Sequence, residues 1–345
     1  MAENETVATA SGPLRLYDNT RLSAFKRCPR YFFYRHVKHW TPDKISPALV
    51  FGASWHAAMD AIWRSMVAGD EKTIVVEKGV EAFNAEWTDQ GMPSPQDLMP
   101  EDIKELGART PVNAIEMIVG YVSKRWDMLR GGELEILDIE RPFIVPLDPE
   151  DDTLFYIGKI DKTIRYKSKV LAMEHKTTTA YKKTEDSNKF RAGFVDSFSP
   201  NSQVDGYQYA LHLTYPGEAG GVWVDAALVH KTEESFMFIP VEKRLEQLDL
   251  WLWETHTWID LIEQNKEMAA NTSPQEKYMA AFPKNTNSCW DFNQACPYLD
   301  LCRAWPNPQG HDIPPGMTRS VWNPVEHIQG LGHLVDKDAV DAEAE

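Results

Sequence analysis

The sequence predicts an α/β protein in which a central mixed β-sheet is flanked by helices. Two long stretches carry apolar residues at helical spacing. Between them lie three consecutive segments rich in β-branched and aromatic residues, and a helix followed by a further strand pair returns the chain to the sheet.

In chain order, residues 1–13 lack an apolar pattern and read as disordered, so the structured region runs from about Leu14 to about 325. A helix is expected over about Ser46–Val67, where Phe51, Trp55, Met59, Ile62 and Met66 recur at three- and four-residue steps. His56 and Asp60 lie one turn apart on it. Gly91–Pro100 holds three prolines and reads as a loop, with helical patterns continuing to about Arg130, so that 68–130 forms a helical insertion. Ile136–Val145 and Leu154–Tyr166 read as strands, and Val170–Thr179 as a third across the polar turn Lys167-Ser168-Lys169. Ser199-Pro200 reads as the cap and first-turn proline of a helix reaching about Leu213. Gly221–Lys231 and Ser235–Val241 form a further strand pair. Leu245–Ala269 follows as an amphipathic helix carrying Leu248, Trp251, Leu252, Trp258, Ile259 and Ile262, and 326–345 is an acidic tail. No internal repeat occurs.

At 345 residues, 43% hydrophobic and 26% charged, the chain has the composition of a soluble globular protein. It contains no apolar run of membrane-spanning length and no basic start followed by an apolar stretch, so a cytoplasmic location without membrane partners is expected. In that reducing compartment its four cysteines point to metal binding or chemistry rather than disulfides. Most of its twelve tryptophans are expected in the core. A net charge of -16 argues against indiscriminate nucleic-acid binding. The charge is uneven, however. Between Leu14 and Trp40, Arg15, Arg21, Lys26, Arg27, Arg30, Arg35 and Lys38 face only Asp18, interleaved with Tyr31, Phe32, Phe33 and Tyr34. That mixture suits a phosphate backbone beside stacked bases, and equally suits an amphipathic helix with a solvated basic face.

The most informative residues are Gly158-Lys-Ile-Asp161 and, thirteen positions later, Glu174-His175-Lys176. On paired strands, two carboxylates and an ammonium converge at one sheet edge. Glu174 and Lys176 then share a face, while the His175 side chain points to the other and its carbonyl is available. Carboxylate and carbonyl oxygens are the donors that Mg²⁺ or Mn²⁺ prefers. An isolated E-x-K is common and by itself is an ordinary surface ion pair.

Its companions change that reading. Gly52-Ala-Ser-Trp-His56 has a G-x-x-x-H form on the expected helix, Gly158 to Asp161 a G-x-x-D form, and Gln203-Val-Asp-Gly-Tyr207 a Q-x-x-x-Y form on the helix that follows. With these motifs in this order, the chain resembles the RecB-like branch of the PD-(D/E)XK nucleases, which includes CRISPR-associated and helicase-linked exonucleases. Ile160 precedes Asp161 where the family name has proline, a frequent variation in this branch.

The resemblance implies a restriction-endonuclease-like core over 14–325 and a metal-dependent DNA exonuclease with single-strand preference. Its catalytic residues would be Asp161, Glu174, Lys176, Gln203 and Tyr207, with Mg²⁺ or Mn²⁺ on His56, Asp161, Glu174 and the carbonyl of His175. The other class it implies is a non-catalytic or partner-dependent iron-sulfur DNA-binding subunit of a recombination, repair or CRISPR-adaptation complex. The chain has no G-x-x-x-x-G-K-[ST] phosphate loop, so helicase activity would come from a helicase or recombination protein partner. DNA contacts are assigned to Arg27, Arg30, Tyr31 and Arg35. Lys182, Lys183 and Arg191 are assigned likewise, in a long segment before Gln203 that also holds Lys189 and reads as a mobile basic clamp or a plain surface insertion.

The same resemblance implies that Cys28 joins Cys289, Cys296 and Cys302 around a 4Fe-4S cluster, with Cys296-x5-Cys302 as the closing motif. The Cys289-x6-Cys296 spacing is longer than usual and leaves a Zn²⁺ site open. Either group would staple 14–40 to 283–305, closing a very long loop.

Overall fold

The computed structural model describes residues 11–44, 46–132, 134–291, 294–323, 328 and 331. The disorder expected for the first ten residues, and the acidic end beyond 331, lie outside the described residues.

In chain order the elements are β1 (Arg15–Tyr17), α1 (Asn19–Arg27), α2 (Pro29–Phe32), a π-helical turn, β2 (Trp40–Pro42), α3 (Pro47–Ala68), α4 (Lys72–Asp89), α5 (Pro100–Leu106) and α6 (Pro111–Arg130). The strands β3 (Leu134–Pro146), β4 (Leu154–Tyr166) and β5 (Lys169–Thr178) follow, then α7 (Ala192–Asp196), α8 (Ser202–Thr214), β6 (Ala219–Leu228), β7 (Phe236–Val241) and α9 (Leu245–Ala270). The short β8 (Trp290–Asp291), β9 (Gln294–Ala295), α10 (Leu299–Ala304) and β10 (Met317–Arg319) close the described chain. Among the described residues no helix is long and apolar enough to cross a membrane.

Contacts gather these elements into two compact units, and the span from 14 to 325 contributes to both. One unit comprises Ile45–Arg141 and Lys159–Arg244. Its sheet is mixed: β4 pairs antiparallel with β5, β5 runs parallel to β6, and β6 pairs antiparallel with β7. A parallel β5–β6 pair needs a crossover, and α8 supplies it. Side chains alternate across β5, so Leu171, Met173 and His175 share one face while Glu174 and Lys176 share the other. Leu171 and Met173 belong to a core built from α3, α4 and α6, in which Trp55, Trp63 and Trp87 are buried.

Helix α3 begins with a proline in its first turn and stops at Gly69, whose φ of 88° gives the left-handed cap that closes on Met66 and Ser65. Helix α4 lies close against it because Gly79 has no side chain: a Cβ there would sit 2.7 Å from Ile62 Cγ1. The cap of α8 is Asn201, whose side chain accepts from the amides of Gln203 and Val204, so the helix starts later than Ser199-Pro200 suggests. An amide oxygen that satisfies two free N–H groups is the stronger stop signal.

The other unit comprises Met1–Lys44, Pro142–Gly158 and Leu245–Glu345. Here β1 runs parallel to Leu154–Tyr156 of β4. Leu14 and Leu16 pack with Phe155, Ile157, Ile328 and Leu331 in a small core, so the segment read as an acidic tail from 326 contributes buried residues. At the other end, Ser11 donates through its amide and hydroxyl to the Asp152 carboxylate, so order begins before Leu14. Phe32, Phe33 and Tyr34 are buried against Phe282, Trp40 and Tyr298. These aromatics are core rather than a stacking platform for bases: Phe32 ends α2, and Phe33 and Tyr34 lie in the π-helical turn that follows.

Phe83 on α4 lies edge-on to Phe51 at 5.4 Å and stacked on Trp87 at 6.1 Å. Phe83→Ala should therefore destabilise this unit by about 3–5 kcal/mol through the cavity it leaves. A lowered urea midpoint is the expected reading, and an unchanged midpoint would show that this helix is not part of the cooperative core.

Candidate active site

The site forms where β4 and β5 part. Their antiparallel ladder runs from Tyr166↔Lys169 to Lys162↔Met173 and goes no further. Two residues beyond Met173, the His175 amide again points toward β4, where no backbone acceptor remains to meet it. The Asp161 carboxylate takes its place and accepts from His175 N at 2.8 Å. On a strand the carbonyl of a residue faces the same way as its N–H, so the His175 carbonyl also faces this gap. Helix α3 delivers His56, whose Nδ1 lies 3.2 Å from the same Asp161 oxygen.

On the adjoining face of β5, Lys176 Nζ lies 2.6 Å from Glu174 Oε1 and donates to Gln203 Oε1 at 3.0 Å. The Gln203 amide group donates to Glu174 Oε1 at 3.2 Å and to Tyr207 Oη at 3.0 Å. Tyr207 in turn donates to the Lys159 carbonyl at 3.0 Å. All the residues singled out from the four motifs, His56, Asp161, Glu174, Lys176, Gln203 and Tyr207, thus come together, and Gln203 braces the lysine. The one-turn spacing of Gln203 and Tyr207 gives both the same helical face.

Burial penalises the charge on Asp161, but His56 beside it, their hydrogen bond and Lys162 outweigh that and hold its pKa well below the usual carboxylate range. Burial and the Asp161 charge push Glu174 up. For His56 burial works downward, yet Asp161 and Glu174 prevail and raise it. Lys176 is likewise raised, since its pairing with Glu174 exceeds the effect of burial. The His175 imidazole is fully buried, and that burial holds it neutral.

Among the described residues no group of three or more His, Cys, Asp or Glu side chains is arranged closely enough to hold a metal ion. Protein donors engage Glu174 Oε1 and Asp161 Oδ2. Glu174 Oε2, however, is buried without a hydrogen-bond partner. A buried carboxylate oxygen left bare is costly and suits a cation, and imidazole, carboxylate and carbonyl are donors that Mg²⁺ or Mn²⁺ takes, although the three side chains are not drawn together as a metal shell here.

Sequence reading missed two buried charge pairs beside this set. Lys162, fully buried, reaches Asp60 Oδ1 on α3 at 2.9 Å. Asp225, opposite His175 in the parallel β5–β6 register, is ion-paired with Arg125 of α6. The turn spacing of His56 and Asp60 gave a hint of the first pair. No local pattern announces the second, because its partners lie 100 residues apart.

The residues expected to bind DNA fare differently. Arg30 is buried and its Nε donates to the Phe282 carbonyl at 2.9 Å, so it packs the interior and is not available to a phosphate. Arg35 donates to the Ser320 carbonyl at 3.0 Å. Arg27 lies 5.1 Å over the Tyr31 ring, and Tyr31 packs edge-on against Tyr298. Within the segment read as a mobile basic clamp or a plain surface insertion, a small hairpin closes, with Lys182 N bonded to the Lys189 carbonyl at 2.7 Å. It leaves Lys182, Lys183 and Arg191 exposed.

Cys28, Cys289, Cys296 and Cys302 all line one small cavity together with Arg27 and Lys284. Burial pushes the Cys296 and Cys302 thiols up, against the pull of Arg27 on the first and of Arg30 and Lys284 on the second. The Asn285 amide donates to Cys28 Sγ at 3.3 Å.

The family model of the PD-(D/E)XK nuclease superfamily matches residues 19–303. No curated protein matches the sequence. One matching solved structure is that of a presumed exonuclease from Eubacterium rectale, 13% identical, with 90% of this chain and 92% of that chain covered at a TM-score of 0.40. A likeness that weak carries no argument.

The opposed shifts of His56 and Asp161 make a checkable pH dependence. Asp161, depressed, contributes stability present above its unfolded value of about 3.9 and lost as pH falls through its folded pKa. His56, raised, contributes stability fully present below about 6.5 and lost as pH rises through its folded pKa. In EDTA, the His56 imidazole followed by NMR should titrate above about 6.5 and move down in Asp161→Asn. Titration at or below that value in both proteins would show that the pair is not ionic.

Proposed function

The chain belongs to the PD-(D/E)XK nuclease superfamily, and from that membership and the grouping at the β4–β5 gap we propose that it is a metal-dependent DNA exonuclease preferring single strands. The observation that supports this reading most is that the Asp161 carboxylate fills the break in the β4–β5 ladder beside Glu174 and Lys176. An ordinary surface ion pair would leave that ladder unbroken.

In this reading His56, Asp161, Glu174 and the His175 carbonyl hold Mg²⁺ or Mn²⁺. Such an ion would supply polarisation of a phosphoryl oxygen and a water of lowered pKa. The His175 amide keeps Asp161 turned into the gap. Lys176, kept protonated by Glu174, orients the attacking water and offsets charge that grows on the phosphate, a role better suited to a cation than that of a general base. Gln203 accepts from the ammonium and donates to the same Glu174 oxygen, and Tyr207 ties Gln203 to the Lys159 carbonyl. Exposed Lys182, Lys183 and Arg191 supply phosphate contacts outside the site.

The second part of the proposal is a 4Fe-4S cluster on Cys28, Cys289, Cys296 and Cys302. What supports it is that all four cysteines line one cavity and that the Asn285 amide donates to the Cys28 sulfur. Such a cluster would staple the first and last described segments of its unit. Its role is structural, since none of its ligands belongs to the site at the β4–β5 gap.

End-labelled single- and double-stranded DNA incubated with Mg²⁺, Mn²⁺ or EDTA tests the nuclease. Metal-dependent cleavage should appear and fall about 100- to 1,000-fold in both Asp161→Ala and Lys176→Ala. Wild type that binds DNA but stays inert in every metal moves the reading to a partner-dependent DNA-binding subunit.

Anaerobically purified protein should carry about four iron atoms per chain. Cys302→Ser should lose them and melt at a lower temperature. Stoichiometric zinc in place of iron would reassign the cysteines to a tetrahedral Zn²⁺ site.

A further inference from the structure

Behind the catalytic strand lies a polar cluster where an α/β core would ordinarily be apolar. Asp225 on β6 is fully buried and ion-paired with Arg125 of α6, itself almost inaccessible. Tyr121, also on α6, donates to the second Asp225 oxygen at 2.6 Å, and Trp63 of α3 donates to the Tyr121 hydroxyl at 2.9 Å. The Arg125 guanidinium lies 3.7 Å from the centre of the Phe238 ring. Substrate cannot reach any of these groups, so none of them is catalytic.

The cluster meets the site through one residue. His175 stands opposite Asp225 in the parallel register, and its Nδ1 lies 3.5 Å from Asp225 Oδ2, a little beyond a hydrogen bond. Neither ring nitrogen has a hydrogen-bond partner among the described residues. A movement of a few tenths of an ångström would make this contact a hydrogen bond, a tightening common when a site binds its ligands. At its other end the same residue gives its amide to Asp161 and faces its carbonyl to the gap. A buried ion pair contributes little or nothing to stability compared with apolar side chains of similar volume, so stability does not account for this one.

We propose that Asp225, clamped by Arg125 and Tyr121, is a positioning residue that acts through the His175 imidazole to fix the His175 peptide, and thereby the placement of Asp161 and Glu174. The inference rests on the metal-dependent nuclease reading. Its action is on metal affinity and turnover rather than on DNA affinity.

The double replacement Arg125→Leu with Asp225→Leu removes the ion pair without leaving a lone buried charge. The expected result is a melting temperature equal to or above that of wild type, Mn²⁺ binding by calorimetry weakened about 10- to 100-fold, and kcat reduced in the same range with KM for DNA unchanged. A folded variant with wild-type Mn²⁺ affinity and kcat overturns the proposal. If the double variant does not fold, Tyr121→Phe decides, with weakened Mn²⁺ binding supporting the clamp and wild-type binding refuting it. A wild type that binds Mn²⁺ yet cleaves no DNA sinks the nuclease reading alone, and the calorimetry still judges the clamp.

Discussion

The hydrogen bond from the His175 amide to the Asp161 carboxylate is the contact on which the site rests. Where two antiparallel strands separate, the next inward-facing amide must find an acceptor, and leaving it bare in a buried place costs on the order of 1–3 kcal/mol. Asp161 meets that need with a side chain instead of a backbone carbonyl. The same oxygen then draws His56 from α3. One solution to a backbone accounting problem therefore brings a carboxylate, an imidazole and a strand carbonyl to a single point.

Around that point charge is organised in alternation. Glu174 is held by Lys176, Asp161 by His56, Lys162 by Asp60, and Asp225 by Arg125. Each acid has a cationic or protonatable neighbour, which is why so many ionisable groups can share a largely buried neighbourhood without neutralising one another. Glu174 Oε2 is among the buried atoms of this neighbourhood left without a hydrogen-bond partner. The ion pair at Asp225 lies next to this pattern, 3.5 Å from the His175 imidazole.

The basic, aromatic segment near the first described strand shows how composition misleads when burial is not known. Seven cations beside four aromatic rings read equally as a nucleic-acid surface or as an amphipathic helix with a solvated basic face. In the fold, Phe32, Phe33 and Tyr34 form a core with Phe282, Trp40 and Tyr298, and Arg30 satisfies a carbonyl inside it. The fold follows the amphipathic alternative for these rings, with Phe33 and Tyr34 in a π-helical turn that no short-range pattern in these residues signals.

Local spacing by itself outlined the main helices and the sheet strands, and a family resemblance singled out the motif residues. Glu174 and Lys176 share a face because strands alternate, and Gln203 and Tyr207 share one because a helix turns in 3.6 residues. Those rules act over a few residues and are written in the chain. Tertiary structure decided which motifs touch, where the ladder stops, and that Asp225, held by Arg125 and Tyr121, lies opposite His175, since these contacts join residues 14 to 105 positions apart along the chain. Their partners are chosen by sheet register and helix packing, which no local pattern encodes.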